Sequence, residues 1–206
     1  METHGQGGPC EDGGDWCYEN GFMFVDANEA WVFETAGVSF WAAEQIAKGK
    51  TRNISNGLSI RKPTLLHKDL LATAQKDSIL ETTVLHKDLL ATARREGWWD
   101  GKGDFDWKRV MLGNSSPSEE LSPEGREQAG IDLLKKNTSK KAPPFGFEGM
   151  AAILRDTDSD ICMRGAFEST GSQISVLTPG ASGDEHWFTT SSDPSKSTTD
   201  PETAPA

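Results

Sequence analysis

Gly21-Phe-Met-Phe-Val25, Asp26-Ala-Asn-Glu29 and Ala30-Trp-Val-Phe33 follow one another without a break, and this stretch decides the fold of the chain. Its two outer runs are rich in aromatic and β-branched residues, which favour strands. The Asp and Asn residues between them favour a turn, so the stretch predicts a β-hairpin. Both runs are almost continuously apolar, which is typical of strands that are covered on both faces.

Further along the chain, the pattern predicts both helices and strands. A Ser-Pro start at residues 122–123 favours a helix that runs to about residue 136. Apolar residues at helical spacing predict a second helix over residues 147–156. Residues 173–177 and 186–189 are typical of a returning pair of strands. The predicted fold class is therefore α+β.

One segment occurs twice. Leu66-His-Lys-Asp-Leu-Leu-Ala-Thr-Ala74 recurs unchanged at residues 85–93, an offset of 19 residues. A solenoid needs about three or more repeats before neighbours bury a continuous core, so two copies indicate a local duplication. The apolar residues of each copy form a helical stripe, and we expect a duplicated helical segment over residues 64–93. His67 and His86 lie one repeat apart without the spacing of metal ligands, so no metal site is predicted.

Composition narrows the class of protein. The chain has 206 residues with 32 acidic against 21 basic side chains, a net charge of -11. Such a field repels phosphate backbones, so we expect no nucleic-acid partner. No run approaches the ~20 apolar residues of a membrane span. The start of the chain has no basic and apolar leader, which favours a cytoplasmic protein.

The three cysteines favour free thiols in a reducing compartment, although a bridge between Cys10 and Cys17 stays open. Cys162 is interpreted as a buried structural thiol. Gly97 is suited to end the helix before it, and we expect Trp98 and Trp99 to anchor a core.

Several motifs in fixed order resemble the secernins, relatives of a cysteine-type dipeptidase family with the N-terminal nucleophile (Ntn) hydrolase architecture. They are Glu29-Ala-Trp-Val-Phe-Glu-Thr-Ala-Gly37, Phe40-Trp-Ala-Ala-Glu44, Arg52-Asn-Ile-Ser-Asn-Gly-Leu-Ser-Ile60, Gly97-Trp-Trp-Asp-Gly101, Ile153-Leu-Arg-Asp156 and His186-Trp-Phe-Thr189. The resemblance implies a four-layer α-β-β-α sandwich with two antiparallel sheets face to face. It also implies a third strand over residues 40–46, where propensity alone favours a helix.

The position of these motifs gives the expected domain organisation. The first begins only 29 residues from the start, so we expect residues 1–190 to be the C-terminal portion of one secernin-like domain, incomplete on its N-terminal side. Residues 191–206 are rich in Ser, Thr, Pro and Asp and are predicted to form a disordered tail. A two-sheet core without its first strands would expose an apolar face or unpaired edges. We therefore expect a chain that is marginally stable alone or needs a protein partner.

The resemblance implies hydrolysis of small peptide amides by a cysteine at the start of the mature chain, whose own α-amine accepts the proton. Here the chain starts with Met1 and Glu2, and Cys10 does not occupy the family's motif. We therefore expect no catalytic residue in this chain and no activity of the chain alone. The alternative is a non-catalytic interaction protein, because secernins are associated with regulated exocytosis.

Other parts of a peptide site are still predicted, with no metal and no cofactor. Asn20 matches the family's Asn before its Phe, where its amide N–H would donate to a developing oxyanion or cap a turn. Arg52, Asn53 and Asn56 would hold the carboxylate of a peptide substrate or order the site. For the two asparagines, hydrogen bonding within the loop is the alternative.

Overall fold

The structure, a computed structural model, describes residues 8–9, 17–37, 40–55, 57–62, 65–66, 83–113, 125–180, 183–189 and 192–197. The chain divides into two compact units, residues 1–123 and residues 124–206. The prediction of one domain over residues 1–190 stays a prediction.

The first unit is organised around a five-stranded sheet. Strands β1 (Gly8–Pro9) and β2 (Cys17–Tyr18) pair with each other outside it. The strands of the main sheet are β3 (Asn20–Val25), β4 (Ala30–Ala36), β5 (Phe40–Gln45), β6 (Leu65–Leu66) and β7 (Thr83–Leu85). Their order is β3-β4-β5-β7-β6, antiparallel except for the parallel pair β6-β7.

The predicted hairpin is confirmed as β3 and β4, and the predicted third strand is confirmed as β5. The turn forms because Asp26 Oδ1 accepts the backbone N–H groups of Asn28 at 2.7 Å and Glu29 at 2.8 Å. Residues 42–45 favour a helix by propensity, but they lie in β5. Their pairing with β4 outweighs this propensity.

One face of the sheet carries the core of the first unit. Because side chains alternate along a strand, Val32 and Ala36 of β4 and Ala42 of β5 point to the same side. All three are buried. Helix α1 (Leu89–Arg95) and helix α2 (Trp107–Met111) contribute to the same cluster. As predicted, Gly97 follows the end of α1, with φ +75°, a conformation that glycine adopts without steric cost.

The duplicated segment differs from the prediction. In its second copy Thr83–Leu85 is a strand, and the helix begins only at Leu89. The β-branched residues at positions 83 and 84 fit a buried strand position beside β5. Strand β6 ends at Leu66, the first residue of the first copy, and Leu66 pairs with Leu85, the first residue of the second copy, so equivalent positions of the two copies are neighbours in the sheet.

The second unit contains the other predicted elements. They are α3 (Gly125–Asn137), α4 (Phe147–Leu154), the antiparallel pair β8 (Gln173–Val176) and β9 (Glu185–Phe188), and a 3-10 helix (Pro194–Lys196). Both predicted helices and the strand pair are confirmed. Cys162 is buried, as predicted. The 3-10 helix lies within the predicted tail, and the rest of that tail beyond residues 192–197 is outside the described residues.

Together these elements confirm the coarse fold class, a mixed α and β protein with an antiparallel sheet and a few helices. The finer prediction, an Ntn-type sandwich, stays a prediction. Among the described residues, no helix has both the length and the apolar character needed to cross a membrane.

Asp193 ties the 3-10 helix to the rest of the second unit. Its side chain is 14% exposed and accepts hydrogen bonds from Ser195 Oγ and, at 3.0 Å, from Lys196 Nζ. Arg164 Nε lies 3.5 Å from the same carboxylate. The hydrogen bond from Ser195, followed by that from Lys196, holds the pKa of Asp193 well below its usual range. Asp193 therefore loses its proton more readily in the folded chain than in the unfolded chain, and its ionised form stabilises the fold.

We expect this carboxylate to make the second unit acid-sensitive. Because the pKa is depressed in the folded state, its stabilisation is complete above the unfolded value of about 3.9 and is lost as the pH falls below it. Asp193→Asn should be less stable than the natural chain at pH 7, with the difference shrinking toward pH 2. Urea unfolding at several pH values measures the difference in stability. It can be followed by NMR through the indole N–H signal of Trp187, because this is the one tryptophan of the second unit. A difference that stays constant with pH would contradict the prediction.

Candidate functional site

A cleft of about 460 Å³ opens in the first unit at the end of β5. Its lining comes from the end of that strand, from the turn that follows, from residues 59, 61 and 62, and from Thr83 of β7. The charged lining residues are Glu44, Lys50, Arg52, Arg61 and Lys62. Four of these five are basic, although the chain carries a net charge of -11. A concave surface of this sign attracts small anions.

Arg52 forms one wall of the cleft and is held on three sides. Its Nε and Nη2 donate to the two carboxylate oxygens of Glu44 at 3.1 and 3.2 Å. Nη2 also donates to Ser59 Oγ at 2.9 Å, and Nη1 donates to the carbonyl oxygen of Asn53 at 2.9 Å. These four bonds engage most of the five N–H donors of a guanidinium group. Of the two predicted roles, the contacts favour the ordering of the site over the direct binding of a carboxylate.

Glu34 lies beneath this wall and is completely buried. Its Oε1 accepts from the backbone N–H and the hydroxyl of Ser59 at 2.7 and 2.6 Å. Its Oε2 accepts from Trp107 Nε1 at 3.0 Å and from the backbone N–H of Ile60 at 3.2 Å. A buried carboxylate is stable only with such partners, so Glu34 fixes the segment that carries Ser59.

No role was predicted for Glu34 or Trp107 from the sequence. A signal was present for Glu34, because an acidic residue in the middle of an apolar strand needs partners if the strand is buried. Nothing in the local sequence indicated that Trp107 would be the partner, since it lies 73 residues away.

The other basic residues of the cleft differ in how they are paired. Arg61 bridges to Asp106 at 2.8 Å. Lys62 bridges to Asp104 at 2.7 Å, and this bond lowers the pKa of Asp104. Both members of the second pair are largely exposed, so water screens it. Lys50 is exposed and makes no ion pair within the part of the chain that the structure describes.

The structure does not bring all the predicted site residues together. Asn20 pairs with Thr35 and Glu44 pairs with Val32. Positions 35 and 32 of β4 point to opposite faces, so Asn20 and the partner of Arg52 lie on opposite faces of the sheet. Asn53 lies next to Arg52 and gives it a carbonyl acceptor. Asn56 lies outside the described residues.

The described residues also locate the candidate nucleophiles and metal ligands. Cys162 belongs to the second unit and is 1% exposed. Cys10 and the side chain of Cys17 lie outside the described residues. His86 is buried, and its Nδ1 accepts the backbone N–H of Asp88 at 3.3 Å. Within the described ranges, no group of three His, Cys, Asp or Glu side chains could hold a metal ion.

No protein-family model matches the chain, and no solved structure matches it. The resemblance to secernins therefore rests on the sequence motifs alone.

Proposed function

We propose that the chain is a secernin-like protein whose cleft at the end of β5 binds the carboxylate end of a short peptide. The size of the cleft supports this, because ~300–1,000 Å³ is the usual range of small-molecule sites. Its basic lining suits an anionic group. The ligand class comes from the sequence resemblance, which implies small peptide substrates.

The observation that carries the proposal is the contrast between Arg52 and Lys50. The N–H groups of Arg52 donate to Glu44, Ser59 and Asn53, so Arg52 shapes the wall of the cleft. Lys50 lines the same cleft, and its ammonium group has three N–H donors with no ion-pair partner among the described residues. In the proposed complex, the peptide carboxylate accepts from Lys50 while Arg52 holds the wall in place.

Hydrolysis is proposed only for a complete domain of this family, in which an N-terminal cysteine attacks the amide. The described residues that line the cleft include no cysteine, and Cys162 is buried. Ser59 lines the cleft, but its hydroxyl donates to Glu34 and accepts from Arg52. No described histidine bonds to it as a general base would. Binding without hydrolysis is therefore the activity proposed for these residues.

We expect Lys50→Ala to weaken the binding of a dipeptide such as alanyl-alanine about tenfold, which corresponds to 1.4 kcal/mol, a typical value for one charge-assisted hydrogen bond. Isothermal titration calorimetry with the full chain measures this. Lys48→Ala is the matched control, because Lys48 is also exposed, lies two residues away and does not line the cleft. The Lys48→Ala variant should bind the dipeptide as tightly as the natural chain does.

A second comparison tests the chemistry of the ligand. The same dipeptide with an amidated C-terminus lacks the carboxylate and should bind at least tenfold more weakly to the natural chain. Equal affinity for the free acid and the amide would overturn the proposal, as would equal losses in Lys50→Ala and Lys48→Ala.

A further inference from the structure

Strand β3 lies at one edge of the main sheet. All six of its residues pair with β4, from Asn20 opposite Thr35 to Val25 opposite Ala30. No second strand pairs with β3 among the described residues. An edge of this kind presents unpaired backbone N–H and C=O groups, which another extended segment can use.

The register shows which backbone groups face outward. The N–H of Asp26 donates to the carbonyl of Glu29, so residue 26 points its backbone groups toward β4. Since this direction alternates along an antiparallel strand, Phe22 and Phe24 also bond toward β4. The backbone groups of Gly21, Met23 and Val25 therefore face the free edge. None of these three makes a further backbone hydrogen bond within the described residues.

The side chains along this edge are apolar and exposed. Met23 is 41% exposed, Phe24 53% and Val25 51%. The ring of Phe24 lies 6.3 Å from those of Phe22 and Phe33, so one face of the hairpin forms an aromatic platform that ends at the edge. An added strand would place its own apolar side chains beside this platform.

The charged residues of the hairpin and of the three positions before it are all acidic. Residues 17–36 contain four acidic side chains and no Lys, Arg or His. Of these, Glu34 is buried, whereas Glu19 and Asp26 flank the two ends of β3 and are exposed. Backbone hydrogen bonds from Glu29 and Asn28 lower the pKa of Asp26, so its carboxylate stays ionised at neutral pH.

We propose that the free edge of β3 binds an extended peptide segment of a partner protein, with alternating apolar residues and with Lys or Arg at both ends. The backbone of the segment would bond to Gly21, Met23 and Val25, its apolar side chains would pack beside Phe22 and Phe24, and its basic ends would lie near Glu19 and Asp26. This inference goes beyond the proposed peptide site, because β3 contributes no residue to the lining of the cleft.

A second copy of the chain fits the edge less well. Two copies of β3 that pair antiparallel through their outward-facing residues, with Met23 opposite Met23, would place Asp26 of each copy opposite Asn20 of the other, next to Glu19. The two carboxylates would then lie close together at both ends of the strand pair, and like charges at short distance repel each other. The same two carboxylates favour a partner with basic ends.

The test uses a dye-labelled peptide with lysines at both ends and alternating valine and threonine between them, and a matched peptide with glutamates at the ends. Fluorescence anisotropy with the full chain at low salt should show binding of the lysine peptide at least tenfold tighter than that of the glutamate peptide. Glu19→Lys should reduce this preference by at least threefold, because it reverses the charge at one end of the edge.

Met23→Pro tests the backbone contact. Proline removes one outward N–H and leaves every bond to β4, and edge strands tolerate proline at such positions. The variant should lose at least tenfold in affinity for the lysine peptide while its circular dichroism spectrum stays unchanged. If Met23→Pro does not fold, the Glu19→Lys result decides alone. Equal binding of the two peptides, or loss of lysine-peptide binding in Lys50→Ala, would overturn the inference.

Discussion

Glu34→Ala is expected to lower the free energy of unfolding of the first unit by about 3–5 kcal/mol, because it leaves the donors of Ser59, Ile60 and Trp107 buried without an acceptor. Each unsatisfied buried donor costs about 1–3 kcal/mol. The total stability of a domain is about 5–15 kcal/mol, so the substitution removes much of it. The segment that carries the wall of the cleft would also lose its anchor.

Urea unfolding followed by tryptophan fluorescence measures this effect, since six of the seven tryptophans lie in the first unit. Glu44→Ala is the matched control. Glu44 points to the same face of the sheet, but it is 28% exposed and bonds mainly to Arg52. We expect it to cost about 1 kcal/mol. Equal losses in the two variants would mean that the buried network around Glu34 does not stabilise the unit.

The parts of the fold that follow from local pattern could be predicted from the sequence. The hairpin was predicted from two apolar runs around an Asp/Asn turn, and α4 was predicted from apolar spacing. Helix α3 was predicted from a Ser-Pro start that lies outside the described residues. The second copy of the duplication was predicted less well. Its residues 83–85 form a strand because β5 is available as a partner, and this tertiary contact is absent from the local sequence.

The candidate site was harder to predict for the same reason. The wall that Arg52 and Ser59 form is supported from beneath by Glu34 and Trp107, and these residues meet only after the chain has folded. Arg52 was predicted as a site residue, but its partner Glu44 could not be identified, because that contact depends on the register of β5. Asn20 was predicted to belong to the same site as Arg52. The alternation of side chains along the sheet places Asn20 on the other face from Glu44, the partner of Arg52.

Trp107→Ala is expected to lower the free energy of unfolding of the first unit by about 3–5 kcal/mol, the usual cost of removing a buried aromatic side chain. Trp107 is completely buried at the start of α2 and packs in the core cluster with Leu58 and Ile60. The control is Trp98→Ala. Trp98 is 40% exposed and contacts Phe40 edge to face at 5.9 Å, so its loss should cost about 1 kcal/mol.

Trp107→Phe separates the hydrogen bond from the packing. It keeps most of the apolar volume but removes the Nε1 donor that Glu34 Oε2 accepts at 3.0 Å. We expect a loss of about 1–3 kcal/mol, the cost of an unmet bond to a buried charged group. When Trp107→Phe is combined with Glu34→Ala, which removes the acceptor, the loss in the double variant should be smaller than the sum of the two single losses by at least 0.5 kcal/mol, because residues in one network couple. Strict additivity in urea unfolding would show that the bond contributes nothing to stability and that Trp107 acts through packing alone.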